Sequence, residues 1–90
     1  HRKGHAQIFL LTEKEGGRKT ACGSGYTPQF YFGASDVPGK LLLTERTLGP
    51  GERAEVEFEL GHAVALEAGM RFAMREGGRT VGAGIVSRVS

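Results

Sequence analysis

The sequence predicts an all-β protein, and three observations lead there. Glycine fills 15 of the 90 positions, roughly double the usual share of about 7%, and most glycines stand beside short apolar runs. Several of those runs alternate apolar and polar residues with a period of two, the pattern of a half-buried strand. Turn signals separate about six such runs, and none carries a convincing helical period. A closed six-stranded antiparallel β-barrel is preferred over a sandwich, because closure removes the sheet edges a small chain would otherwise expose.

The elements follow in order. Residues 1–4 are polar and basic and read as a linker or frayed end. That leaves residues 5–90 as the one domain a chain of 90 allows. Ala6-Gln7-Ile8-Phe9-Leu10-Leu11 suits a strand buried on much of both faces. Residues 12–19 turn out to solvent, and 21–25 form a small glycine-rich loop. Residues 25–32 are aromatic-rich strand material. Pro28 restricts its own place there to an edge, a bulge or the strand's start, since it donates no ladder hydrogen bond.

Pro38-Gly39, within residues 35–40, is a type II turn signal. A short strand at Leu41-Leu42-Leu43 follows, then a second turn at Leu48-Gly49-Pro50-Gly51. Ala54, Val56, Phe58 and Leu60 alternate with Glu55, Glu57 and Glu59, giving one buried face and one acidic, wetted face. Val64, Ala65 and Leu66 are placed as a plug for one end of the core. Met70, Phe72 and Met74 form an inward face opposite Arg71, Ala73 and Arg75. In the last strand, from Arg79 to about Val89, Val81, Ala83 and Ile85 alternate with Gly82, Gly84 and Val86. Glycines inside a strand cost stability, so this pair marks a sharp bend or a close approach by another backbone.

Composition bounds the function. The net charge of +2 neither requires nor excludes nucleic acid. Cys22 is the lone cysteine, so a reducing, cytoplasmic setting is expected. No run of about 18 apolar residues exists, so no membrane-spanning helix is expected. His1, His5 and His62 are scattered, which argues against a metal site. The stretch from Gly33 to Gly39-Lys40 misses the phosphate-loop spacing by one residue and has Leu41 where Ser or Thr is needed. Gly82-Ala83-Gly84 lacks the third glycine of a dinucleotide fingerprint, where Ser87 stands. Nothing supplies a nucleophile with its base. The chain reads as a binding domain rather than an enzyme.

Glu15-Gly16-Gly17-Arg18 and Glu76-Gly77-Gly78-Arg79 are more informative. A Gly-Gly step takes positive φ without a Cβ penalty, as a tight hairpin demands. Arg18, Lys19, Arg75 and Arg79 flank the two turns. Emerging on one side of a barrel, the turns would form a positive patch with bare N–H groups, suited to phosphate and ribose. The plainer reading is that arginines beside glycine turns keep them soluble. Glu55, Glu57 and Glu59 confine any nucleic-acid contact to one side. Tyr26, Phe30 and Phe32 suit either a base-stacking platform or a core, and for Phe30 and Phe32 the core is preferred.

Three runs carry a resemblance: Glu15-Gly16-Gly17-Arg18; Gly25-Tyr26-Thr27-Pro28-Gln29-Phe30-Tyr31-Phe32; and Arg71-Phe72-Ala73-Met74-Arg75-Glu76-Gly77-Gly78-Arg79-Thr80-Val81-Gly82-Ala83-Gly84. Over nearly the whole chain the sequence resembles the elongation factor Tu family, at its C-terminal β-barrel, the third domain. The resemblance implies a non-catalytic barrel that packs on the second barrel and the GTPase domain and contacts the T-stem of aminoacyl-tRNA. Carried over by motif, T-stem contacts fall on Arg18, Gln29, Glu76 and Gly77. Those with the GTPase domain, where kirromycin-type antibiotics act, fall on Gly16, Gln29 and Ala73. Elongation factor Ts is a further implied partner. No cofactor is implied in this domain; GTP and Mg would belong to a GTPase domain elsewhere in the parent protein.

The chain departs from the family pattern at Thr27 and Gly33, where arginine is usual, and at Lys19, Ala21, Cys22 and Pro38. Residues 40–50 also diverge. The alternative is therefore a protein–protein interaction barrel in a diverged paralogue without tRNA binding.

Overall fold

A computed structural model describes residues 1–17, 21–33, 35–43 and 47–89. Six strands form one closed antiparallel barrel: β1 (Lys3–Leu10), β2 (Gln29–Phe32), β3 (Ser35–Leu42), β4 (Arg53–Leu60), β5 (Arg71–Glu76) and β6 (Arg79–Val89). Around the wall the order is β1-β4-β3-β2-β5-β6, and β6 closes onto β1. The only helical piece among the described residues is a single 3₁₀ turn at Glu13–Glu15.

The interior is an aromatic cluster. Phe30 lies 5.7 Å from Phe58 and 5.5 Å from Phe72, and Phe32 lies 5.2 Å from Phe72, ring centre to ring centre. These tilted contacts suit the ring quadrupoles. Phe30 and Phe32 are buried, so they are core and not a stacking platform.

Rings this large fit because glycines face them. Gly84 pairs with Phe72 and Gly82 with Met74 across β5 and β6, while Gly4 pairs with Phe58 across β1 and β4. A Cβ on Gly84 would stand 2.5 Å from the Phe72 ring and 3.0 Å from the Gln7 carbonyl oxygen. Both reasons for glycine in a strand, a filled interior and a close backbone, hold here. A bulge between Met74 and Arg75 shifts the β5–β6 register. It sends Val81 and Gly82 both inward and leaves Ala83 and Ile85 on the outside.

Several expectations change. Residues 1–4 are not a frayed linker. Lys3 and Gly4 belong to β1, the Arg2 carbonyl accepts from the Leu60 N–H at 2.6 Å, and the His1 carbonyl accepts from the Val64 N–H at 2.8 Å. The end of β4 and the connection after it need those partners. β1 alternates rather than burying both faces, because a barrel wall has one side in water. Pro38-Gly39 is not a turn but the middle of β3. Pro38 gives its carbonyl to the Gly61 N–H at 2.7 Å, and Gly39 sits where a Cβ would stand 2.9 Å from the Phe30 ring. The reversal between β2 and β3 falls instead next to Gly33, whose φ is +64°. Strand structure in the aromatic run is confined to Gln29–Phe32. Of the expected plug, Leu66 is buried while Ala65 is exposed.

Gly84→Ala should lower stability by about 1–3 kcal/mol, since the Phe72 ring is wedged among other rings and the Gln7 backbone cannot retreat. Ala83→Val, one residue away on the outer face, should stay within about 0.5 kcal/mol. Urea unfolding of the two variants checks this, and equal losses would contradict the packing account.

Candidate functional site

One rim of the barrel gathers the ends of β1, β3 and β5 with the starts of β2, β4 and β6. The two glycine loops leave there from neighbouring strands. The first follows β1, and the second joins β5 to β6, which is paired with β1. The Leu11 N–H donates to the Val81 carbonyl at 2.9 Å, tying the loop bases together. Beneath them Leu10, Cys22 and Leu48 are buried, and Cys22 and Leu48 exchange backbone hydrogen bonds at 2.9 and 2.8 Å.

The first loop is held in shape by its own side chains. Thr12 caps the 3₁₀ turn: its Oγ1 accepts from the Glu15 N–H at 3.3 Å, and the Glu15 carboxylate accepts from the Thr12 N–H at 2.9 Å. This reciprocal box satisfies two otherwise orphan donors. Gly16 ends the turn at φ +91°. Gly17 is buried, with no room for a Cβ against the Leu11 carbonyl. Arg18 and Lys19, the cations assigned to this loop, lie outside the described residues.

The second loop is a two-residue hairpin with Gly77 at φ +59° and Gly78 at φ +81°. A Cβ on either would meet nothing within 4 Å, so the glycines serve backbone conformation and exposed peptide groups, not packing. Glu76 is anchored, because the Tyr26 hydroxyl donates to its carboxylate at 2.5 Å. Arg75 folds back, its Nη2 donating to the Gly78 carbonyl at 3.1 Å and its guanidinium lying 5.6 Å from the Tyr31 ring centre. Arg79 is exposed.

Gln29 opens β2, exposed, between Pro38 on β3 and Arg75 on β5. Ala73 lies one step along the same outer face, between Tyr31 and Ala83. Gln29, Ala73, Glu76 and Gly77 therefore occupy one continuous stretch of wall and rim, and Gly16 stands on the neighbouring loop. Sequence reasoning missed Tyr26 as the residue that orients Glu76, and no local signal pairs residues 50 apart. It also missed the Thr12 cap, although Thr-x-x-Glu is a readable signal.

These features define a class first: a small closed barrel that displays shaped loops, exposed backbone and an oriented carboxylate at one rim. Among the described residues, no three His, Cys, Asp or Glu side chains cluster as metal ligands, and no helix is long and apolar enough to cross a membrane. The chain belongs to the elongation factor Tu C-terminal domain family, which matches residues 1–90. It is a translation-factor barrel domain.

A double-mutant cycle on Tyr26→Phe and Glu76→Gln should return a coupling of about 1–2 kcal/mol, as for a partly buried hydrogen bond to a charged group. Urea unfolding of the two single variants and the double measures it. A coupling near zero would mean that Tyr26 does not hold Glu76.

Proposed function

We propose that this barrel is the third domain of an elongation factor Tu-like translation factor. In that reading it contacts the T-stem of aminoacyl-tRNA and packs on the GTPase domain during GTP-dependent, cytoplasmic delivery of aminoacyl-tRNA to the ribosome. The observation that carries the reading is the joint emergence of both Glu-Gly-Gly loops at one rim, beside Gln29. Duplex RNA offers phosphates and 2′-hydroxyls more readily than base edges, and bare N–H groups, a carboxylate and an amide suit them.

Each residue then has a task. Arg18 pairs with a T-stem phosphate. Gly77 presents backbone N–H to phosphate, and Glu76, aimed by Tyr26, accepts from a ribose hydroxyl. Gln29 bridges the RNA and the seam with the GTPase domain, where Gly16 and Ala73 lend small, close-packing surface. GTP and Mg belong to that other domain, and elongation factor Ts is a further partner.

A second reading, a protein–protein interaction barrel without tRNA binding, is favoured by a different observation. Ile85 is 43% exposed and borders a depression of about 310 Å³ lined by Phe9, Arg53 and Arg71. Titrating the complete protein with aminoacyl-tRNA at two salt concentrations separates the two. RNA binding that weakens with salt supports the first reading, and no RNA binding supports the second. Arg18→Ala should weaken binding and reduce the salt slope by about 0.7–0.9, as for one lost phosphate contact. An unchanged affinity and slope would remove Arg18 from the interface.

A further inference from the structure

Arg75 stands where the β5–β6 register shifts: Met74 faces Gly82, but Arg75 faces Thr80. Irregularities of this kind re-aim a side chain or end a pairing. The Arg75 guanidinium lies 5.6 Å from the ring centre of Tyr31, two residues along β2 from its direct partner Gln29. Nη2 of the same group reaches forward and donates to the Gly78 carbonyl at 3.1 Å. That carbonyl lies in the loop, beyond the last ladder pair of Glu76 with Arg79.

The arrangement has a cost. Nε of Arg75 is buried and has no hydrogen-bond partner among the described residues. An orphaned buried donor costs about as much as one exposed hydrogen bond contributes, so a conformation kept for stability alone would leave Nε in water. What the arrangement secures is the loop. Gly77 and Gly78 both have positive φ, and glycine has more backbone freedom to lose than any other residue. Glu76 is held by the Tyr26 hydroxyl and Gly78 by Arg75. Successive residues of a strand point to opposite faces, so the hairpin is braced from both sides.

We infer that Arg75 is a positioning residue, which touches no RNA itself and presets the Gly77–Gly78 peptide groups for the contacts proposed for Glu76 and Gly77. The inference rests on the tRNA-binding reading and adds a residue to which that reading gives no task. By engaging the Gly78 carbonyl, the guanidinium also covers a loop acceptor that would repel a phosphate. A loop ordered in advance loses less freedom on binding. Planarity is essential to the role, because one group must lie against the Tyr31 ring and still aim an N–H at Gly78.

The test compares the complete unaltered protein with Arg75→Met and Arg75→Lys, by titration with aminoacyl-tRNA across a salt series and by hydrogen exchange without RNA. Both variants should bind about three- to tenfold more weakly with the salt slope and the urea midpoint unchanged. Amide exchange should quicken at residues 76–79 and nowhere else in the barrel. A merely structural role would lower the urea midpoint and quicken exchange throughout, which would overturn the inference. A slope reduced by about 0.7–0.9 in Arg75→Met, or full affinity in Arg75→Lys, would make Arg75 a phosphate contact and overturn its positioning role. Affinity unchanged in both variants, with the unaltered protein still binding, would overturn the brace and leave the rim reading standing. Failure of the unaltered protein to bind would overturn both.

Discussion

The interior of this barrel is set by one steric bargain: large rings on one strand require bare Cα atoms on the next. Phe72 stands against Gly84, Phe58 against Gly4, and Phe30 against Gly39. A small closed barrel tapers, so its inner volume cannot take large side chains at every inward position. Here aromatic bulk sits on β2, β4 and β5, while β1, β3 and β6 come close on glycine. The hydrophobic return is high because each ring buries a large area, and the conformational cost of glycine is met by the closeness it permits.

Closure then decides where the two glycine loops stand. Because β6 returns to pair with β1, the loop after β1 and the hairpin before β6 become neighbours, although some 60 residues separate them in the chain, a span long enough to make their closure costly before non-local contacts reward it. No local propensity places them together; the barrel's topology does. The loops themselves are stiffened by separate means, one by the Thr12–Glu15 cap and the other by paired positive-φ glycines. A rim built this way presents backbone groups in fixed directions, as recognition of a regular phosphate backbone requires.

What was legible in the sequence follows from which forces are local. The alternation at Ala54–Glu55–Val56–Glu57–Phe58–Glu59–Leu60 named β4 and its inner face outright, because one wetted and one dry side leave a period of two. Pro38-Gly39 misled, because the same dipeptide that makes a turn in isolation also suits a strand whose N–H is not required and whose neighbour is an aromatic ring. β1 looked doubly buried because Phe9 and Leu11 are apolar, yet Phe9 lies on the outside with the Arg53 guanidinium 5.7 Å from its ring centre. Residues 1–4 looked loose because nothing in their composition announces the Leu60 and Val64 backbone groups they satisfy. At the site, the repeated Glu-Gly-Gly-Arg motif was visible at once. The Tyr26–Glu76 bond was not, since it depends on strand register across the sheet.

Under the proposed reading the barrel works by holding shape, and the spread of its candidate contacts has an energetic consequence. Gln29, Glu76 and Gly77 offer single hydrogen bonds at an exposed rim, each worth about 0.5–1.5 kcal/mol net, or somewhat more when charged. Ordering two macromolecules costs several times any one of those. Under the proposed reading, the barrel alone is therefore a weak ligand for RNA. Its contribution appears when a covalently attached neighbour engages the same RNA and turns the second contact into an intramolecular one, which raises the effective concentration without adding any bond. The rigid, ring-filled interior matters for that reason: a wall that flexed would lose the fixed geometry on which such linkage depends.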